Sequence, residues 1–430
     1  MTTRGAAFAV QELFSSARLA STLSSTAIGL AIMAWAVHNI IGWAGLIAAL
    51  SVLVLLCCGS VWARRTAIDA SGLLPLSLLA FGGWAVLSVL WSHYQWATIG
   101  GLAYLAAFTA LGLYIAMVRN SIQVTRAFGD ALRVVLVLSL AFEVLSGLLI
   151  DSPITFLGIA GNLDTAGPIS GLLGNRNELG LLAVIGGISF AIEWRTRSIS
   201  RGLAVLSLVL AAVTLALTRS PIAWGTAAVA IAVLAVLYGI RRLAPALRRP
   251  VNIAVLFAAV IAAGLAWATR TTIISALNAG GELDYRLTVW QQIWVLVQPH
   301  LLEGWGWIGQ WNTGVPPYVS IATGPTRVAS SALNAYLDVW FQLGMVGLFL
   351  FVGLLGLAFT RSWLLATRKR SVVFTWPAVV LAALITASLA ESAVLTEFGL
   401  LTVVICCVNA SQNLSWRTAL RPPHELDSVN

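Results

Sequence analysis

Long apolar runs, each near the ~20 residues that cross a bilayer as a helix, alternate along this chain with short arginine-bearing clusters. The runs fall near 20–37, 40–62, 72–91, 98–118, 132–150, 177–194, 202–218, 221–239, 251–269, 333–359, 374–390 and 393–410, which predicts about twelve transmembrane helices. Residues 1–19 carry Arg4, Glu12 and Arg18 and no apolar core, so the first run reads as an uncleaved anchor. Two connecting segments are long, 151–176 and 270–332. The second holds Gly304-Trp305-Gly306-Trp307 and Pro316-Pro317 and exceeds any hairpin; a loop of that size carries function or is disordered. Its tryptophans favour a structured element at the membrane interface. The expected organisation is nine helices over 1–269, a large outer loop over 270–332, three helices over 333–410 and a cytoplasmic tail over 411–430.

Composition narrows the class. Only 10% of the 430 residues are charged and 59% are hydrophobic, against about 25% charged in a soluble domain. A single water-soluble domain, a disordered chain, a collagen-like fibre and a disulfide scaffold are all excluded, which leaves an all-α polytopic membrane protein. The net charge of +9 would suit nucleic acid if it formed one patch. It is instead distributed between apolar runs, so the lipid bilayer is the expected partner and nucleic acid is not. The cysteines form two adjacent pairs, Cys57-Cys58 and Cys406-Cys407, inside apolar runs; they read as small buried hydrophobes without metal-ligand spacing.

Charge also orients the chain. With the N-terminus inside, 20 of the 25 basic residues fall on one face, which places both termini in the cytoplasm under the positive-inside rule. The five exceptions are Arg176, Arg219, Arg270, Arg286 and Arg327. Arg219, in Thr218-Arg219-Ser220-Pro221, lies between two spans; it reads equally as an arginine snorkelling to head groups or as a fixed fork for phosphate. Arg286, in Asp284-Tyr285-Arg286-Leu287-Thr288-Val289-Trp290, reads by itself as a solvated loop residue paired to Asp284 or Glu282. In Gly174-Asn175-Arg176-Asn177-Glu178, Asn175 or Asn177 can cap a helix whose positive end, with Arg176, would suit an anion. Leu333-Asn334 is followed by nine residues and Gly344-Met345-Val346-Gly347, a spacing that alone suggests close helix packing.

In this order, these segments resemble the O-antigen ligase/polymerase family of bacterial membrane glycosyltransferases, over roughly 171–347. That family has many spans and one large outer loop. An arginine precedes the loop between two spans, a second lies inside it before a tryptophan, and His-Asn-x9-Gly-x-x-Gly enters the next span. The resemblance implies a GT-C-like fold in the bacterial cytoplasmic membrane. It also implies transfer of a glycan from a polyprenyl-diphosphate donor to a glycan or glycolipid acceptor hydroxyl at the outer face, with no cofactor and no metal. Arg219 and Arg286 then correspond to the arginines that hold the diphosphate, with Arg176 and Arg327 as further donor-side candidates. Asn175, Asn177, Asn334 and Glu391 are acceptor-side or motif positions.

One position departs from the pattern: Leu333 stands where the family has the histidine that assists the acceptor hydroxyl. Asp338, about one turn further on, and His300, in the loop, are the leading replacements, with His38, His93, Glu391 and Glu397 behind them. Asp338 reads equally as a hydrogen-bonded packing group. The departure keeps open a non-catalytic glycan-binding member of the same fold. A lipid-linked sugar flippase is the other alternative, although the two halves show no internal repeat and the charge is not spread along many spans. A glycosyltransferase of the shape, elongation and division class would need an acidic loop residue, for which Glu282 and Asp284 are too ordinary.

Overall fold

The computed structural model describes residues 11–66, 75–272, 280–321 and 329–413. Among these residues the regular elements are helical, apart from an isolated bridge between Ile154 and Ile159. Lipid offers no hydrogen-bond partner to the backbone, so an apolar run that enters it must satisfy its amides within itself. The helices are α1 (Ala17–Ala63), α2 (Leu76–Leu87), α3 (Gln95–Val118), α4 (Ser121–Val144), α5 (Arg176–Thr196) and α6 (Arg201–Thr218). They continue with α7 (Pro221–Arg242), α8 (Pro245–Ala268), α9 (Gly280–Val297), α10 (Ala335–Arg368), α11 (Thr375–Ala387) and α12 (Glu397–Asn413).

Eight of the described helices are long and apolar enough to cross a membrane; α2, α11 and α12 are shorter apolar helices. The twelve runs of the sequence fall on eleven helices, because the first two share α1. That helix is broken at Gly42 (φ 71°, ψ 177°), a backbone conformation open essentially to glycine. The large loop contributes α9, an ordered 18-residue helix.

The layers of the bundle follow from apolar coverage. A helix that is apolar all round belongs inside, and α11 is buried at every residue from Thr375 to Leu384. It packs against α5, α7, α10 and α12. A polar tie fixes it there, Trp376 Nε1 donating to Ser189 Oγ of α5 at 2.9 Å. At the periphery, α8 has no buried residue, and Leu55 of α1, Leu206 of α6 and Phe257 of α8 are exposed.

Polar residues separate to the two ends. One end gathers the start of α5, the α6–α7 turn, α9, the start of α10 and the α11–α12 turn. The other gathers Arg64 on the Ser16 carbonyl, Arg119 on Ser21, and Arg241 and Arg248 on the carbonyls of Ala366 and Thr367.

α10 is interrupted as well, at Gly344 (φ 68°, ψ −171°). The carbonyls and amides freed by the break are taken up by the 301–306 segment. Trp305 N donates to Phe341 O at 3.1 Å, Gly306 N to Gln342 O at 2.8 Å and Met345 N to Leu301 O at 2.9 Å. The glycine pair that suggests helix packing in the sequence thus serves, at Gly344, the docking of a loop backbone. A Cβ there would lie 2.1 Å from the Leu302 carbonyl oxygen. Gly344→Ala should therefore destabilise the protein by at least 1–3 kcal/mol, roughly the cost of a residue forced into such backbone. Thermal unfolding in detergent checks this against Gly353→Ala in the same helix, where a Cβ meets nothing within 4 Å and no loss is expected.

Candidate functional site

The site is built at helix ends. α5 begins at Asn175, whose side chain accepts from Asn177 N at 2.9 Å. That cap occupies Asn175 and leaves the Asn177 side chain to reach inward. α6 ends and α7 begins at one turn: Arg219 is left-handed (φ 46°), Ser220 accepts from Ala223 N at 3.1 Å, and Pro221 fills the first helical position, where a missing amide costs little. α10 begins at Asn334, which accepts from Tyr336 N and Leu337 N at 3.0 and 3.1 Å.

These ends meet in one hydrogen-bonded chain. Ser220 Oγ donates to Asn177 Oδ1 at 2.7 Å, and Asn177 Nδ2 donates to Glu391 Oε1 at 2.7 Å. Glu391 accepts from Arg286 Nη2 at 3.0 Å. Glu282, one turn before Arg286 on α9, takes Arg176 at 2.8 Å and lies 3.5 Å from Arg286. Arg286 Nη1 further donates to the carbonyls of Leu333, at 2.9 Å, and Ala390. Arg286 and Glu391 are only 6% and 4% exposed. Burial pushes the Glu391 carboxyl above the ordinary carboxylate range, while Arg286 and Asn177 oppose that rise.

The expectation of a solvated loop arginine is overturned at Arg286: α9 lays it against the bundle, where both terminal nitrogens are engaged. Its acidic partners are Glu282 and Glu391, while Asp284 is exposed. Arg219 is the opposite case. It is exposed, and its guanidinium hydrogen-bonds to no described residue.

Leu333 acts through its backbone. It is left-handed (φ 51°), an uncommon conformation for a leucine, and the surrounding contacts over-determine it. Arg286 holds its carbonyl, Ser331 Oγ accepts from its amide at 3.2 Å, and Trp290 Nε1 donates to the Ala332 carbonyl at 2.8 Å. Asp338 secures the same turn from α10, accepting from Ala332 N at 3.2 Å, Trp311 Nε1 at 2.8 Å and Gln342 Nε2 at 2.8 Å. Asp338 is 1% exposed and engaged by three donors, surroundings that suit a packing group.

His300 falls elsewhere. It follows Arg286 by 14 residues, roughly 20 Å along α9 and its extension at 1.5 Å per residue. There it meets Glu303 at 2.9 Å and stacks edge-on with Trp305, with His93 nearby. His38 packs on Trp43, and Glu397 accepts from Tyr104 at 2.9 Å. Arg327 lies outside the described residues, as does the tail from 414 onward.

Residues 206–352 match the O-antigen ligase family. This part of the chain is O-antigen ligase-like. No curated protein matches the chain. The O-antigen ligase-like segment contains Arg219, Arg286, Leu333, Asn334 and the Gly344–Gly347 pair. The partners that fasten it in place, Arg176, Asn177 and Glu391, lie outside it in sequence. Sequence reasoning passed over Ser220, and it offered Glu282 only as a partner of Arg286, not of Arg176. The four-residue spacing from Glu282 to Arg286 is the signal available for that pair, since such residues face each other on a helix.

Proposed function

We propose that this protein is a membrane glycosyltransferase of the ligase or polymerase type. It transfers a polyprenyl-diphosphate-linked glycan to an acceptor hydroxyl at the extracytoplasmic face of a bacterial cytoplasmic membrane. Arg219 carries the proposal: its side chain is exposed and bonds to no described residue, and its backbone forms a left-handed turn at the edge of a buried polar network. In the reaction the anomeric carbon–oxygen bond to the diphosphate breaks, and its electron pair leaves on the diphosphate oxygen. A guanidinium fork at that oxygen stabilises the developing charge. The acceptor oxygen forms the new glycosidic bond and releases its proton to solvent or to a group beside the acceptor. Leu333 cannot take that proton, and the good leaving group reduces the need for a base. The other side chains of the network position the Arg219 turn and the Leu333 turn. Arg176, shared with Glu282, stands by as a second donor-side cation.

The test is transfer in vitro from polyprenyl-diphosphate-linked oligosaccharide, with and without candidate acceptors. Product formation that EDTA does not inhibit is expected. Donor binding without transfer would reduce the protein to a glycan-binding member of the scaffold, and absence of both would overturn the reading.

Sidedness belongs to the same proposal: twelve spans, both termini cytoplasmic. In a background with Cys58, the exposed native cysteine, replaced, a cysteine introduced at 312 should react with an impermeant thiol reagent on intact cells. A cysteine at 369 should not. The reverse pattern would put the Arg219 end on the wrong side of the membrane.

A further inference from the structure

At the end of the bundle opposite Arg219, a cavity of about 610 Å³ opens between the α3–α4 turn, the α10–α11 turn and the end of α12. Arg119, Asn120, Ser121, Ser371 and Gln412 give it a polar lining. Arg119 reaches Ser21 Oγ through Nη2 at 3.3 Å, but its Nε is buried and bonds to no described residue. Arg64 repeats the arrangement: Nη2 donates to the Ser16 carbonyl at 2.6 Å while Nε is buried and unpartnered among the described residues. Among the described residues, the groups that act electrostatically on Arg119 are Tyr114, Arg126 and Arg64, with no carboxylate among them. Elsewhere at this end several basic residues have partners. Arg133 has Asp130 and Glu193; Arg241 has the carbonyls of Ala366 and Arg370; Arg248 has that of Thr367.

Cationic groups withdrawn from water are stable when an anion accompanies them. Burial, before Arg126 and Arg64, pulls the Arg119 guanidinium below its ordinary value, and a bound anion would offset all three effects. We propose that this cavity binds a phosphate group, with Arg119 as its main ligand and Arg64 in support. The volume exceeds what a single phosphate ion fills and suits the phosphate with its attached alcohol in an anionic phospholipid head group. Guanidinium forks match phosphate geometry, and Ser121, Ser371 and Gln412 offer donors for the remaining oxygens.

The full chain is purified in a neutral detergent and titrated with phosphatidylglycerol or phosphatidylcholine, with bound lipid counted by native mass spectrometry. Inorganic phosphate is tested separately by thermal shift. Wild type should retain phosphatidylglycerol over phosphatidylcholine. Arg119→Gln should weaken that retention about tenfold or more, the effect of losing one charge-assisted hydrogen bond. Ser371→Trp, which fills the cavity and keeps every arginine, should do the same, and Arg249→Gln, an exposed arginine outside the cavity, should not. Saturable stabilisation by inorganic phosphate that Arg119→Gln abolishes would identify the free anion as a ligand of the same site. Equal retention of both lipids together with no phosphate effect, or unchanged binding in both Arg119→Gln and Ser371→Trp, would overturn the proposal. If Arg119→Gln does not fold, Ser371→Trp decides.

Discussion

Arg219→Lys and Arg219→Ala should each lower glycan transfer about 10²-fold or more while leaving the thermal unfolding temperature unchanged. The magnitude is that of removing a preorganised donor from a developing oxyanion. Lysine keeps the charge but has no planar fork, so it should not rescue. Stability should not move, because the side chain is exposed and bonds to no described residue, and such substitutions typically stay within about 0.5 kcal/mol. The turn itself is kept by Ser220 and Pro221, whose contacts the substitution does not touch. Donor binding and turnover should be measured together. Full turnover in Arg219→Ala would remove the observation on which the proposed function rests, and loss of expression with normal specific activity would make the arginine a structural residue.

Arg286→Met should have the opposite profile. It removes the donor that satisfies Glu391, Leu333 O and Ala390 O at once and leaves a 4%-exposed carboxyl without its cation. Breaking one side of a buried pair costs about 3–5 kcal/mol, enough to deplete the folded protein. The double variant Arg286→Met, Glu391→Met should recover much of that stability, since replacing both charges by apolar groups is often neutral. It should still lack activity, because the Leu333 carbonyl loses its anchor. A stable Arg286→Met with only a raised donor KM would show that the residue contacts the diphosphate and does not fasten the site. Arg286→Lys should be destabilised too, since one ammonium cannot reach four acceptors in the fork's plane.

The contrast between the two arginines could not be read from the sequence, where both stand as outer-face exceptions to the charge bias. Their difference arises because α9 folds back and lays its Arg286 face on α10 and the α11–α12 turn. Separations of 106 positions from Arg176 to Glu282 and 105 from Arg286 to Glu391 put those pairings beyond any local pattern. Asp338 shows the same limit. Spacing left it open between base and packing group, and its contacts to Trp311, Gln342 and Ala332 left no trace in the sequence. His300 seemed available because it shares the loop with Arg286, but an ordered helix separates them.

What the sequence determined by itself is what local physics dictates. Apolar runs of bilayer length become helices because lipid leaves the backbone no other partner. Asn175, Ser220-Pro221 and Asn334 start helices because their side chains or fixed torsions suit a first turn. The basic residues separate to two ends because the apolar runs between them fix the spacing. Only the tertiary structure decided which of those ends meet, where Gly42 and Gly344 break what looks like continuous helix, and that Leu333 contributes a carbonyl where its side chain has nothing to offer. These outcomes depend on contacts between segments far apart in the chain, and a hydrogen bond across a hundred residues leaves no period, cap or composition to read.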